Sequence, residues 1–163
     1  MSQTQNAYKE ERKQRLLKEY RKIAVNELHI AELPEVVSLV NKDDILAFLA
    51  DHFYVAFPKK TAKSELVTEA IKRLSKKRNM IKNFYWEFDE EISIHPIQLE
   101  DRLRINTYRR KKMMDNGELI ISTYDYLRKY GKDLYVPRYD RYLVLGQHHE
   151  AIVKMDEGEK NIS

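Results

Sequence analysis

The sequence contains no cysteine, and among its 163 residues there are four glycines and four prolines. The absence of cysteine excludes disulfides, iron–sulfur clusters, cysteine-ligated zinc and a catalytic thiol. The small number of glycines and prolines favours helices over an all-β sandwich. No apolar run approaches the roughly 18 residues of a membrane span, and the first residues lack the apolar core of a signal peptide. We therefore expect a cytoplasmic protein that has no membrane partner.

Charged residues are abundant and are arranged in blocks of one sign. They make up 34% of the chain, and 30 lysines and arginines against 26 acidic residues give a net charge of +4. Residues 59–78 hold eight basic and two acidic residues, a net +6, and residues 101–112 hold six basic and one acidic, a net +5. The small total therefore conceals two local positive fields that could each face an acidic partner.

The N-terminal segment, residues 1–32, has the pattern of a basic amphipathic helix from Tyr8 to about Ala31. Apolar residues recur in it at three- and four-residue spacing; among them are Leu16, Leu17, Tyr20, Ile23 and Leu28. The opposite face is rich in lysine and arginine. We interpret that face as solvated, with a basic arm on nucleic acid as the alternative, and the long helix as a candidate element for a homodimer.

Residues 33–80 are predicted to form a small helical unit. Pro34 can start a short helix, Asn41 or Asp43 can cap a second, and Thr61 can cap a third after an extended connection over residues 53–58. The helix–extended–helix pattern, with Lys59-Lys60-Thr61-Ala62-Lys63-Ser64-Glu65-Leu66, resembles SAP domains and the Rho N-terminal domain. That resemblance implies contacts with DNA or RNA phosphates at Lys59, Lys60 and Lys63. A plain helical hairpin with a solvated basic face is the alternative.

Residues 81–92 are predicted to be an acidic linker. The stretch after Phe88 carries Asp89, Glu90 and Glu91, and a helix or a strand is equally compatible with the apolar residues before it. Trp86, the only tryptophan, is expected to pack in a core rather than to stack on a base.

Two short helices joined by a tight turn are predicted after residue 93. Pro96 can occupy the first position of a helix that ends near Leu103, and Asn106 is a good cap for a second helix from Thr107 to about Met114. Gly117 then ends the second helix with a left-handed residue. Helices so short and so closely joined are typical of a helix-turn-helix.

A small β-ribbon and a further helix are predicted to follow. Leu119-Ile120-Ile121 and Leu134-Tyr135-Val136 flank a basic turn that contains Gly131, although residues 124–129 could include a helical turn. The order over residues 93–147 resembles the winged helix-turn-helix of the MerR and excisionase group. The positions that carry this resemblance are Leu99, Leu103, Ile105, Gly117, Leu119, Arg138, Tyr139 and Asp140. Residues 148–163 are expected to be a flexible tail.

The second helix of this unit carries the candidate DNA contacts. They are Thr107, Tyr108, Arg109, Arg110, Lys111 and Lys112. Arg109 and Arg110 suit base edges because a planar guanidinium can bind guanine through two hydrogen bonds, whereas Lys111 and Lys112 suit phosphates. In the ribbon, Arg128, Lys129 and Lys132 are candidates for the flanking backbone. The alternative is a solvated basic helix whose two methionines, Met113 and Met114, pack inward.

Seven tyrosines lie from residue 108 onward, interleaved with basic residues: Tyr108, Tyr124, Tyr126, Tyr130, Tyr135, Tyr139 and Tyr142. We expect most of them to be half-buried, with one or two on a ligand.

No residue pattern indicates catalysis. His148-His149-Glu150 is the only local cluster of metal-ligand types, and adjacent side chains do not share a helix face. Asp89, Glu90 and Glu91 have no matching carboxylates elsewhere, and no glycine-rich phosphate loop is present. The sequence therefore predicts a mainly α protein with a small β-ribbon that binds DNA, in a sequence-specific manner, without a metal, a cofactor or an enzymatic activity. An adaptor that docks an acidic protein partner is the alternative, and RNA binding is a third reading.

Overall fold

A computed structural model of the chain describes the backbone of residues 3–162 and the side chains of residue 7 and residues 9–157. It is 63% helical and contains a two-stranded antiparallel β-ribbon, which confirms the predicted fold class. In chain order, the elements are α1 (Gln3–Lys22), α2 (Glu27–Ala31), α3 (Leu33–Ser38), α4 (Lys42–Phe53), α5 (Lys63–Leu74), α6 (Arg78–Glu87), α7 (Pro96–Leu103), α8 (Thr107–Asp115), β1 (Ile121–Lys129), β2 (Lys132–Tyr139) and α9 (Arg141–Ile162). Over the described backbone, every helix is too short or too polar to cross a bilayer.

The N-terminal helix is interrupted where a single helix was predicted. α1 ends at Lys22, and α2 begins after Asn26, whose side chain accepts a hydrogen bond from the Leu28 amide at 2.9 Å. In return, the Asn26 amide donates to His29 Nδ1 at 3.1 Å. This reciprocal capping box stabilises a helix start at Asn26, so the prediction of one helix to Ala31 is wrong. The apolar residues Leu16 and Tyr20 of α1 are buried in the core of the chain itself.

The predicted helical unit of residues 33–80 is present, with one cap misplaced. Pro34 lies in the first turn of α3, and the Asn41 side chain caps α4 by accepting from the Asp44 amide at 3.0 Å. Thr61, by contrast, does not cap α5, which begins after Ala62. The Thr61 amide instead donates to the Pro58 carbonyl at 3.0 Å, which closes a turn before the helix starts.

Residues 81–92 are part of the core and not a linker, which corrects the sequence-based prediction. Ile81, Phe84 and Tyr85 of α6 are buried, as is Ile92 beyond the helix end. The prediction gave weight to the acidic residues, but most of these lie on the surface while the apolar residues recur at helical spacing. Trp86 packs against the same core, as expected, with its ring edge-on to Tyr20 at 5.3 Å between centroids.

The C-terminal elements surround a second, smaller core. Its buried members are Ile94, Leu99, Leu119, Tyr139 and Val144. β1 and β2 pair from Thr123 opposite Arg138 to Lys129 opposite Lys132, so residues 124–129 form a strand and not a helical turn. A backbone bridge between Ile94 and Tyr139 joins the base of the ribbon to the chain before α7.

Helix α9 belongs to both cores. Tyr142, Leu143 and Leu145 pack in the larger core, whereas Val144 packs in the smaller one. The backbone remains helical to Ile162, so the prediction of a tail over residues 148–163 is wrong for the part that the structure describes. The predicted segment 1–32 includes residues 1 and 2, and the predicted segment 148–163 includes residue 163. These three residues lie outside the part of the chain that the structure describes.

A buried polar network fixes the start of α9 against α1. The carboxylate of Asp140 accepts hydrogen bonds from the Tyr20 hydroxyl at 2.8 Å and from the Leu143 amide at 3.1 Å. Burial raises the pKa of Asp140 to about 7. Nearby, Arg12 donates to the Ser122 carbonyl and lies 3.5 Å from Asp89, whose pKa is raised to about 6 by burial. The base of the ribbon is therefore held by the N-terminal helix.

A second set of charged contacts joins the two cores at Glu32. Its carboxylate pairs with Arg102 of α7 and, at 3.0 Å, with Arg141 of α9. Arg141 is buried and also donates to the Ile92 carbonyl at 2.6 Å. Since one carboxylate binds both arginines, α7 and α9 have a fixed position relative to the N-terminal helices.

Candidate nucleic-acid interface

The candidate site is built on α7 and α8, which are joined by a three-residue turn, as predicted. Pro96 occupies the first turn of α7, and Arg104 ends it in the left-handed conformation with φ of 54°. The Asn106 side chain then caps α8 by accepting from the Arg109 amide at 2.8 Å. Gly117 has φ of 76°, which lets the chain leave α8 and enter the ribbon.

Arg110 faces the protein interior, which corrects its predicted role at base edges. It is 7% exposed; its Nε donates to Glu100 at 3.1 Å, and its Nη1 donates to the Tyr139 hydroxyl at 2.6 Å. Because it is buried and directed at α7 and β2, this guanidinium is not presented to a DNA groove. Arg110 therefore joins α8 to the helix before it and to the strand after it. The sequence did not reveal that Arg110 faces inward while Arg109 faces solvent, because the two are adjacent on one helix and of the same residue type.

Thr107 is also engaged within the protein. Its hydroxyl donates to the second oxygen of Glu100 at 2.7 Å. Hydrogen bonds from Thr107 and from Arg110 hold the pKa of Glu100 below its usual value, so this carboxylate stays ionised. Glu100 thus binds both the first and the fourth residue of α8, and it orients the helix from one side.

The other predicted contacts on α8 are exposed. They are Tyr108, Arg109, Lys111 and Lys112. Lys112 Nζ lies 5.4 Å from the centre of the Tyr108 ring, within the range of a cation–π contact. Met113 and Met114 pack against the smaller core, as predicted. Arg110, Met113 and Met114 therefore anchor α8, and its exposed surface presents three cations and a phenol to solvent.

The three predicted cations of the ribbon lie at its tip. Arg128, Lys129 and Lys132 are exposed, and Lys129 Nζ lies 5.6 Å from the centre of the Tyr130 ring. Asp133 is the only acidic residue between positions 128 and 133. The tip therefore carries a net positive charge, separate in sequence from that of α8.

Lys59, Lys60 and Lys63 belong to the N-terminal helical unit rather than to the unit of α7, α8 and the ribbon. All three are exposed between α4 and the start of α5. The ammonium of Lys63 donates to the Ser38 carbonyl at the end of α3, at 2.8 Å. Lys63 therefore has a structural partner, and Lys59 and Lys60 are the freer cations of this set.

The exposure of the tyrosines differs from the prediction. Tyr139 and Tyr142 are buried, but the other five are half exposed or more: Tyr108, Tyr124, Tyr126, Tyr130 and Tyr135. The sequence-based prediction treated them as packing residues because each has an apolar ring and a polar tip. The alternation of Tyr124 and Tyr126, ahead of a Tyr-Gly turn, is the signal that could have revealed an aromatic strand face.

Two further observations bear on the chemistry of the site. Among the side chains that the structure describes, no group of three or more His, Asp or Glu residues is placed to hold a metal ion. Comparison with known proteins found no matching family model, no matching curated protein and no matching solved structure.

Proposed function

We propose that this protein binds duplex DNA and catalyses no reaction on it, with α8 as the helix that enters the major groove. The observation that carries the proposal is the division of α8 into an anchored side and a cationic side. Arg110 and Thr107 are held by Glu100, while Arg109, Lys111 and Lys112 point to solvent. A helix that presents several donors from a fixed position suits a groove lined by acceptors.

The exposed residues of α8 have different roles in this proposal. Arg109 reads a base edge, since its planar guanidinium can donate two parallel hydrogen bonds to guanine. Lys111 and Lys112 bind phosphates as point charges. Arg110 positions the helix and does not touch DNA, which replaces the sequence-based assignment. The ribbon tip, with Arg128, Lys129 and Lys132, binds the flanking phosphates.

The order of elements supports the proposed resemblance to the winged helix-turn-helix of the MerR and excisionase group. Of the positions that carry it in the sequence, Leu99 and Leu119 are buried in the smaller core, and Gly117 has positive φ. On this proposal the protein acts in the cytoplasm, in transcriptional control, replication or maintenance of a mobile element. Two copies on a pseudo-palindromic site are the expected arrangement for specific binding.

The test begins with selection of bound sequences from a random duplex pool. Affinity for the selected site is then measured by fluorescence anisotropy as a function of salt. We expect the double variant Arg109→Ala with Lys112→Ala to lose about tenfold in affinity for the selected site and to relax its sequence preference. The logarithmic salt slope should fall by about one for each phosphate contact removed.

A charge-matched control lies at the C-terminal end of α5 and in the turn that follows it. Lys72→Ala with Lys76→Ala removes the same two charges from exposed positions outside the candidate site, and its effect on affinity should be small and independent of sequence. An equal loss in both double variants would contradict a specific role for α8. A selection that enriches no sequence, or binding that is insensitive to salt, would favour the adaptor that docks an acidic protein partner.

A further inference from the structure

The β-ribbon exposes more apolar surface than its packing explains. Six large apolar or aromatic residues on it are exposed: Tyr124, Tyr126, Leu127, Tyr130, Leu134 and Tyr135. A two-stranded ribbon without a third strand or a covering helix is marginally stable by itself, and polar residues on its exposed faces would be the ordinary choice. Binding of a ligand would account for the exposure of these six side chains.

The pairing register separates these residues onto two faces. Side chains of directly paired residues lie on one face, and the face alternates along each strand. Tyr126 is paired with Tyr135, and Tyr124 with Pro137, so three tyrosines share one face with Arg128. Leu127 and Leu134, also a direct pair, lie on the opposite face with Lys129 and Lys132.

The tyrosine face is preorganised. The rings of Tyr126 and Tyr135 are 5.5 Å apart between centroids and tilted by 55°. The Tyr126 hydroxyl donates to Asp133 at 2.6 Å, which fixes the ring along the ribbon and occupies the one acidic side chain near the tip. Two rings at neighbouring positions on one strand, Tyr124 and Tyr126, are spaced by about 7 Å, the distance between alternate residues.

Tyr130, at the tip of the ribbon, has a backbone conformation that is unfavourable for tyrosine. Tyr130 and Gly131 form the two-residue loop, and both have positive φ, 54° and 73°, as a type I′ turn requires. Asn-Gly is the favoured pair for this turn, whereas a left-handed tyrosine costs about 1 kcal/mol or more. Tyr130 is nevertheless 92% exposed. Because its ring contributes no core contact, a functional role accounts for its presence better than stability does.

We propose that the ribbon binds an unpaired nucleic-acid strand, with bases stacked on Tyr126, Tyr135 and Tyr130. On the tyrosine face the phosphates of that strand meet Arg128, and at the tip Lys129 and Lys132, which lie on the opposite face, add to the positive field around Tyr130. Aromatic side chains with a cation beside them are the combination that binds single strands without sequence preference, because every base has a stacking face and every nucleotide a charge. The inference extends the proposed binding of duplex DNA by α8, so that the preferred ligand is a duplex that adjoins a single-stranded segment.

The test compares a blunt duplex with the same duplex carrying an overhang of about six thymidines. Fluorescence anisotropy gives both affinities, and a 2-aminopurine in the overhang reports stacking directly. We expect the wild-type protein to bind the tailed duplex about tenfold more tightly than the blunt one. The variant Tyr126→Ser with Tyr135→Ser should remove this preference and leave the affinity for the blunt duplex unchanged.

The variant Tyr130→Asn tests the ribbon site without destabilising the fold. A loss of binding in this variant therefore cannot be attributed to unfolding. The substitution creates the favoured Asn-Gly pair, so the midpoint of thermal unfolding should rise while the affinity for the tailed duplex falls by about fivefold or more. The matched control is Tyr54→Asn. Tyr54 is also left-handed, with φ of 57°, and 90% exposed, but it lies at the end of α4. Tyr54→Asn should also gain stability, because asparagine tolerates the left-handed region better than tyrosine, with no change in binding.

The outcomes separate this inference from the proposed function. Loss of blunt-duplex affinity in the α8 variant, with the tail preference retained, supports both. Binding of a free single strand that depends on the ribbon tyrosines, without any duplex binding, supports the ribbon site and overturns the role of α8. Equal affinity of the wild-type protein for the tailed and blunt duplexes overturns the ribbon site. An unchanged preference for the tailed duplex in both ribbon variants also overturns the ribbon site. The tyrosine face would then be a binding surface for a protein partner.

Discussion

At the scale of single residues, adjacent arginines on α8 have opposite roles. Arg110 is buried in an ion pair with Glu100, and Arg109 is exposed. We expect Arg110→Ala to lower the free energy of unfolding by about 2 kcal/mol, because Glu100 and the Tyr139 hydroxyl would lose a partner in a largely buried position. Arg109→Ala should change it by less than about 0.5 kcal/mol. Urea unfolding followed by circular dichroism measures both, and equal values would show that the inward position of Arg110 is unimportant for stability.

The same pair shows why a site can be only partly predicted from a sequence. Local signals identified the residues with a capping or turning role, such as Asn106 and Gly117, because their function depends on neighbours in the chain. The burial of Arg110 depends on Tyr139, which is 29 positions away in sequence and reaches α8 only in the folded protein. Residue type and helical position therefore place a cation on α8, but tertiary contacts decide which way it faces.

At the scale of elements, the junction between α8 and the ribbon depends on Gly117. Its φ of 76° favours glycine, and a Cβ built there would meet no atom within 4 Å, so a substitution is limited by the backbone alone. We expect Gly117→Ala to cost about 1 kcal/mol, which corresponds to about 2–4 °C in the thermal midpoint. Gly117→Asn should cost less, since asparagine tolerates the left-handed region better. If alanine raised the midpoint, this explanation of the junction would be wrong.

Elements were predicted well where local chemistry starts or stops them. Pro34, Asn41, Pro96 and Asn106 all lie at helix starts in the structure, as their types indicate. The prediction failed for α6, where acidic neighbours concealed a buried stripe, and it underestimated the length of the ribbon, whose strands are longer than their apolar runs. In both cases side chains outside the segment determine the structure, since α6 is covered by other helices and the base of the ribbon by Arg12.

At the scale of the whole molecule, α9 should make the two cores unfold together. Val144 lies in the smaller core, between residues that pack in the larger one, and Trp86 reports on the larger core. We expect Val144→Ala to lower the midpoint of the Trp86 fluorescence transition in urea, at a cost of about 1–2 kcal/mol. Val153→Ala, at an exposed position of the same helix, should leave it unchanged. A shift in circular dichroism without a shift in Trp86 fluorescence would mean that the cores unfold independently.

The length of the ribbon has a consequence for how much nucleic acid the protein covers. Six residue steps separate Thr123 at its base from Lys129 at its tip, which is about 20 Å of extended chain. Duplex DNA rises about 3.4 Å per base pair, so this reach spans about six base pairs. A complex held at both α8 and the ribbon tip would therefore protect a footprint longer than one helix can cover. Shortening the ribbon by one residue pair would shorten that footprint by about one base pair.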